Sequence, residues 1–163
     1  MKYTRLTKEQ FEELHQEFAN FLASQNIDKT EWEQIKTEKP EIAEQELDVF
    51  SDLIWEGALS KTEYLEHFSK SHVFLFHFME NKAHSIVIYC TNPNIDFLTK
   101  EGLIWLSEHI SSNNLSIEQT EIEIKQGKKS FEDKKSNIFS LIQQGALISN
   151  GDLYNQVKHI FGI

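Results

Sequence analysis

SHVFLFHFMENKAHSIVIYC, residues 71–90, sets the fold expected of this chain. Aromatic and β-branched residues fill both halves, and Glu80-Asn81-Lys82 interrupts them, as in two strands joined by a short turn. With Asn81–Lys82 as a two-residue turn, Met79 pairs with His84 and Phe74 with Tyr89. One face then carries Phe74, Phe76, Phe78, Val87 and Tyr89, and the other Val73, Leu75, His77, Met79, Ile86, Ile88 and Cys90. Both faces are mostly apolar, so both need cover from helices or from a second chain. A lone hairpin is marginal in water and wants a third strand or a packed helix.

Helix signals surround this hairpin. Thr7 and Gln10 form a capping-box pattern ahead of Phe11, Leu14, Phe18, Phe21 and Leu22, which share one helical stripe ending near Ser24. Thr30 with Glu33 opens a short helix carrying Trp32 and Ile35, and Pro40 suits the first turn of a third helix running to about Leu59. Ser60 with Glu63 is expected to start a further turn or two through Phe68. Beyond the hairpin, a helix is expected over 99–110, with Leu103, Leu106 and Ile110 inward. Residues 116–127 alternate like a strand around Ile122 and Ile124, yet Ser116, Gln119 and Gly127 read as helix caps, and the helix is preferred. Ser130 caps a helix through Gln144 closed by Gly145, and Asp152 starts a last helix to Phe161. The expected fold is α+β: a mostly helical single domain over 1–163, with one antiparallel β-hairpin at about 72–79 and 84–91 packed against helices.

Composition narrows the class. The 163 residues are 39% hydrophobic and 12% aromatic, which rules out intrinsic disorder and suffices for a sizeable core. The net charge of −10 argues against non-specific nucleic-acid binding and against an anionic membrane surface. Sixteen acids and eight bases fall in residues 1–70, an acidic helical part, against ten and eight in the hairpin and C-terminal helices of 71–163. No run reaches the roughly 20 apolar residues of a membrane span, no signal-peptide-like stretch opens the sequence, and one cysteine cannot form an internal disulfide. A cytoplasmic protein is expected.

Two constellations carry possible chemistry. Glu44, Asp48, Asp52 and Glu56 recur at four-residue steps, with Glu41 one turn earlier. Like charges so spaced repel by about 0.2–0.5 kcal/mol per pair, so the stripe is a solvated outer face, the docking face of a basic protein partner, or a seat for a hard divalent cation, which the lack of loop glycine and carbonyl ligands disfavours. Glu63, His67, His72, His77 and His84 offer metal-ligand types within a short span, though His77 sits among apolar neighbours as a core histidine does. Cys90 lacks an identifiable base, and there is no nucleophile elbow, phosphate loop or dinucleotide fingerprint. The one arginine, Arg5, argues against guanine readout by the C-terminal helix pair.

Tyr3-Thr4-Arg5-Leu6-Thr7, Trp32, Thr37-Glu38-Lys39-Pro40, the Phe50–Trp55 run, Glu63-Tyr64-Leu65-Glu66-His67, Leu141–Gly145 and Gly151-Asp152-Leu153-Tyr154 resemble a family of small acidic cytoplasmic proteins from Bacteroidetes-type bacteria. That resemblance implies no activity, cofactor or catalytic residue. The function expected from the residues is therefore a non-enzymatic interaction protein. Its acidic face (Glu41, Glu44, Asp48, Asp52, Glu56) would meet a basic partner, and its hairpin would support a homodimer. The alternatives are a metal-dependent enzyme using the Glu63–His84 cluster, or a binder of a small apolar ligand against the aromatic hairpin face. No cofactor is expected.

Overall fold

The computed structural model describes residues 1–111 and 121–163. They form two compact units, Met1–Ser60 and Lys61–Ile163.

The first unit is helical: α1 (Lys8–Glu13), α2 (His15–Ser24), α3 (Lys29–Glu38) and α4 (Pro40–Lys61), whose last residue enters the second unit. The Thr7–Gln10 capping box forms as expected, but the helix it opens is interrupted at Leu14 before α2 continues. The cap of α3 is Asp28, which accepts from the Glu31 amide, rather than Thr30. Phe50, 1% exposed, centres an aromatic cluster with the rings of Phe11, Phe18 and Phe21 at 5.9, 5.0 and 5.3 Å. Trp32 closes the cluster edge-on to Phe18 at 5.4 Å. Three aromatic positions of α1 and α2 thus converge on one α4 side chain, with Trp32 of α3 added through Phe18, which is what a short helical unit needs for a core.

The second unit contradicts the expectation of a single hairpin. A five-stranded antiparallel sheet, in the order β4-β3-β2-β1-β5, runs through it. Its strands are β1 (Tyr64–Phe68), β2 (His72–Phe78), β3 (Lys82–Cys90), β4 (Ile122–Ser130) and β5 (Leu147–Ser149), with α5 (Lys100–Ser111), α6 (Lys134–Gln143) and α7 (Asp152–Phe161). The mixed α+β class holds. The hairpin is the middle of the sheet, and its third and fourth strands come from the same chain.

The corrections have local causes. Ser60 does not cap a new helix; its hydroxyl donates to the Glu56 carbonyl within α4, and the chain then turns extended so that Leu65 pairs with Phe76. The Ile122–Glu123–Ile124–Lys125 alternation is a strand after all, with Ile124 opposite Ile88. The expected helix over 116–127 is thereby overturned for 121–127, and its residues 116–120 lie outside the described residues. Ser130 ends β4, and Asp133 caps α6 by accepting from the Ser136 amide. The hairpin turn is Glu80–Asn81, with the Met79 amide bonded to the Lys82 carbonyl, so Phe74 faces Val87 rather than Tyr89. That moves the register by two residues, which leaves every side chain on its expected face.

Val73, Leu75, Ile86, Ile88 and Cys90 make the packed face, all at most 2% exposed, beneath Leu106 and Ile110 of α5 and Tyr154 and Val157 of α7. Leu103, expected inward, is 42% exposed. The opposite face presents Phe74, Phe76, Val87 and Tyr89 half-buried, with Phe78 buried. At the sheet's edge, β5 exposes Leu147 and Ile148. Truncating a fully buried leucine loses its transfer energy and leaves a hole, at about 2–5 kcal/mol. Leu75→Ala should lower the unfolding free energy by that amount in urea titration; a loss below 1 kcal/mol would contradict the packing described.

Candidate functional site

The half-buried sheet face carries a cavity of about 330 Å³ in the second unit. Its floor follows from cross-strand register. Phe78, Ala83 and Lys129 lie side by side across β2, β3 and β4, and Phe76, Ser85 and Gly127 form the next row. Two large rings on β2 therefore stand beside four positions where only Lys129 is long. A Cβ at Gly127 would come within 2.6 Å of the Ser85 Oγ, so glycine keeps both the strand spacing and the hollow. The roof is a stripe of α6, Asn137, Ser140 and Leu141, continued by Gln144 at the i, i+3, i+4, i+7 positions that share one helix face.

Phe131 closes one end, its ring 5.8 Å from that of Phe78. The roof amides are oriented by their own helix: Asn137 Nδ2 donates to the Asp133 carbonyl at 2.8 Å, and Gln144 Nε2 to the Ser140 carbonyl at 3.0 Å. Lys128 and Lys129 are the charged residues of the lining, which contains no carboxylate. Cavities of this size sit at the lower end of small-molecule sites, and an apolar floor with a few polar groups is their usual make-up.

The pocket draws Phe76 and Phe78 from the hairpin face read in the sequence as an apolar wall. Opposite them, Ala83 and Ser85 come from the hairpin's own second strand, whereas Gly127 joins them only through the β3–β4 register, which left no local signal.

The acidic face is organised within the first unit. The backbone amides of Lys2 and Tyr3 donate to the Asp52 carboxylate at 2.6 and 2.9 Å. Lys2 Nζ and the Tyr3 hydroxyl reach Glu56 at 2.6 and 2.9 Å. Arg5 spans the next two steps, its Nε donating to Asp48 at 2.6 Å and its Nη1 to Glu44. Trp55 Nε1 donates to the Thr4 carbonyl, and the buried Ser51 hydroxyl accepts from the Leu6 amide. Four-residue steps on a helix rise about 6 Å, close to two residues of extended chain. An extended segment can therefore place successive donors against successive carboxylates. Glu56 and Tyr3 raise the Lys2 ammonium above its ordinary value, and Glu44 and Asp48 do the same for Arg5. Glu41 is exposed one turn before this array.

The histidine candidates divide between the two sheet faces. His67 and His72 lie on the pocket face with Phe74, and His72 stacks on Tyr89 at 4.6 Å. His77 and His84 are cross-strand partners on the packed face, where His77 stacks on Tyr64 at 4.5 Å and meets Tyr154 at 5.5 Å. Glu63 is exposed just before β1. Among the described residues, no three His, Cys, Asp or Glu side chains group as a metal site would require. Burial pushes the Cys90 thiol up, as for a small core hydrophobe.

The family model for the family of unknown function DUF6495 matches residues 1–162. The chain belongs to that family. No curated protein and no solved structure matches it. No helix among the described residues is long and apolar enough to cross a membrane.

Two expectations follow. Arg5→Ala removes an exposed ion-pair network and should cost about 1 kcal/mol, with the loss shrinking in 1 M salt; a salt-independent loss would mean that packing dominates. Burial lowers the His77 pKa below 6.5, with nearby Lys158 and Lys134 adding to it and Glu63 opposing. Burial lowers His84 as well, with Lys128, Lys82, His77 and Lys158 adding to it. The unfolded chain therefore takes up protons first. Stability should be full above about pH 6.5 and fall as the pH drops from there through the lower folded values. His77→Phe, which keeps a ring against Tyr64, should flatten the fall in Tm between pH 7.5 and 5.5; parallel profiles for the two proteins would remove His77 as its source.

Proposed function

We propose that this protein is a binding protein whose site is the pocket between the β2–β4 sheet face and α6, and that its ligand is a small, largely apolar molecule. The observation that carries this reading is the juxtaposition of Phe76, Phe78 and Phe131 with small residues, beneath a single stripe of α6. A fold that needed only to bury Phe76 and Phe78 would fill those positions with branched side chains. The volume is about twice that of a cavity known to accept benzene, so a bicyclic or arylalkyl body fits. Titration with 2-naphthalenemethanol, followed by amide NMR, should shift resonances at Phe76, Phe78, Phe131 and Leu141. Ser140→Phe, which places a ring under the roof, should abolish those shifts while leaving Tm within a few degrees. Shifts confined to other surfaces would reject the pocket.

A second reading concerns α4. The carboxylates at Glu44, Asp48, Asp52 and Glu56 already bind an extended Lys-Tyr-Thr-Arg stretch, so a basic partner presenting such a stretch would compete with residues 2–5. A peptide of sequence KYTRL added in excess should release that segment, read as new fast-exchanging amides at Tyr3 and Leu6. Asp48→Lys with Asp52→Lys should remove peptide binding; binding unchanged by this double reversal would exclude the face.

A further inference from the structure

The pocket's charge selects among apolar ligands. Its two charged lining residues are both cations, Lys128 and Lys129, and no Asp or Glu contributes to the wall. Among the described residues neither lysine is held in an ion pair. Lys129 sits in register with Ala83 and so belongs to the floor's own face of the sheet, whereas Lys128 is opposite His84 on the packed side. The chain as a whole carries −10, so an anion gains nothing from the molecule's total field and any preference for one must arise locally. At the mouth of an apolar cavity, an ammonium answers one negative group while the rings take the hydrophobic body. The roof adds the Ser140 hydroxyl and the Asn137 and Gln144 amides, polar but uncharged.

We infer that the pocket takes an amphipathic anion, a small organic carboxylate with an aromatic or branched apolar body, and that Lys129 is the residue that receives its charge. This rests on the pocket being the binding site, and the experiment separates the two claims. Wild-type protein, Lys129→Gln and Lys128→Gln are each titrated with 2-naphthoate and with the neutral 2-naphthalenemethanol by calorimetry at 50 mM salt.

The wild type should bind naphthoate roughly tenfold more tightly. Lys129→Gln should lose that preference while binding the alcohol as before, and Lys128→Gln should keep most of it. Equal affinities in the wild type would overturn the anionic class while leaving the pocket standing. A preference lost in Lys128→Gln but kept in Lys129→Gln would overturn the assignment of the residue. Neither probe binding would overturn the pocket and this inference together.

Discussion

The constraint on which the second unit depends is that the His72–Cys90 hairpin is apolar on both faces and unsatisfied on both edges. Each face needs a layer over it, and each edge needs a strand. The chain meets all four demands itself. β1 and β4 take the edges, α5 and α7 cover the side of Val73, Leu75, Ile86 and Ile88, and α6 lies over the side of Phe76 and Phe78. The two covers differ in closeness. On the packed face, branched and aromatic side chains interdigitate to near-zero exposure. On the other, α6 rests on Phe76, Phe78 and Phe131 across a gap left by alanine, serine and glycine. The cavity is the difference between a sheet covered by fitted side chains and one bridged by a helix.

The first unit solves a similar problem with electrostatics. A helix with acids at four-residue intervals repels itself, and the extended residues 2–6 relieve that by laying amide, ammonium, phenol and guanidinium donors along the stripe. Each bond is near the surface and weak alone, but they act in series on one short segment, with the Leu6 amide on buried Ser51 as the anchor that is shielded from water. The sequence's one arginine is the residue that can bridge two carboxylates with a rigid fork.

Much of this was legible and some was not, for reasons that can be named. The last helix and the face assignments of the central hairpin could be read because apolar periodicity is strong there and, in the hairpin, survives a register error of two; α4 could be read because Pro40 marks its first turn. β1 was hidden by Ser60 and Glu63, which imitate a capping box; the Ser60 hydroxyl instead bonds one turn back to the Glu56 carbonyl, inside the last turn of α4. β4 carried the correct alternation but was outvoted by Ser116 and Gln119 ahead of it and by Gly127 within it. β5 has three residues, too few for any period. The acid ladder was visible as a pattern, while its complement 39 to 54 residues away was not, since nothing local links Arg5 to Asp48. The pocket's hairpin wall was visible, while Gly127 and the α6 roof were not, because they meet that wall only across stretches of chain, α5 and residues 112–120 among them, that no local pattern bridges.

The brevity of β5 has a consequence for how the molecule meets its own copies. As an outermost strand it offers Leu147 and Ile148 to solvent, the sort of edge on which another chain could extend the sheet. Yet it lies between Gly145 and Gly151, both at positive φ, so the backbone turns away after three residues at each end. A foreign strand would find too few aligned amides to hold its place. The fold thereby exposes two of its greasiest side chains at a border and still denies them the length that runaway stacking into fibrils requires.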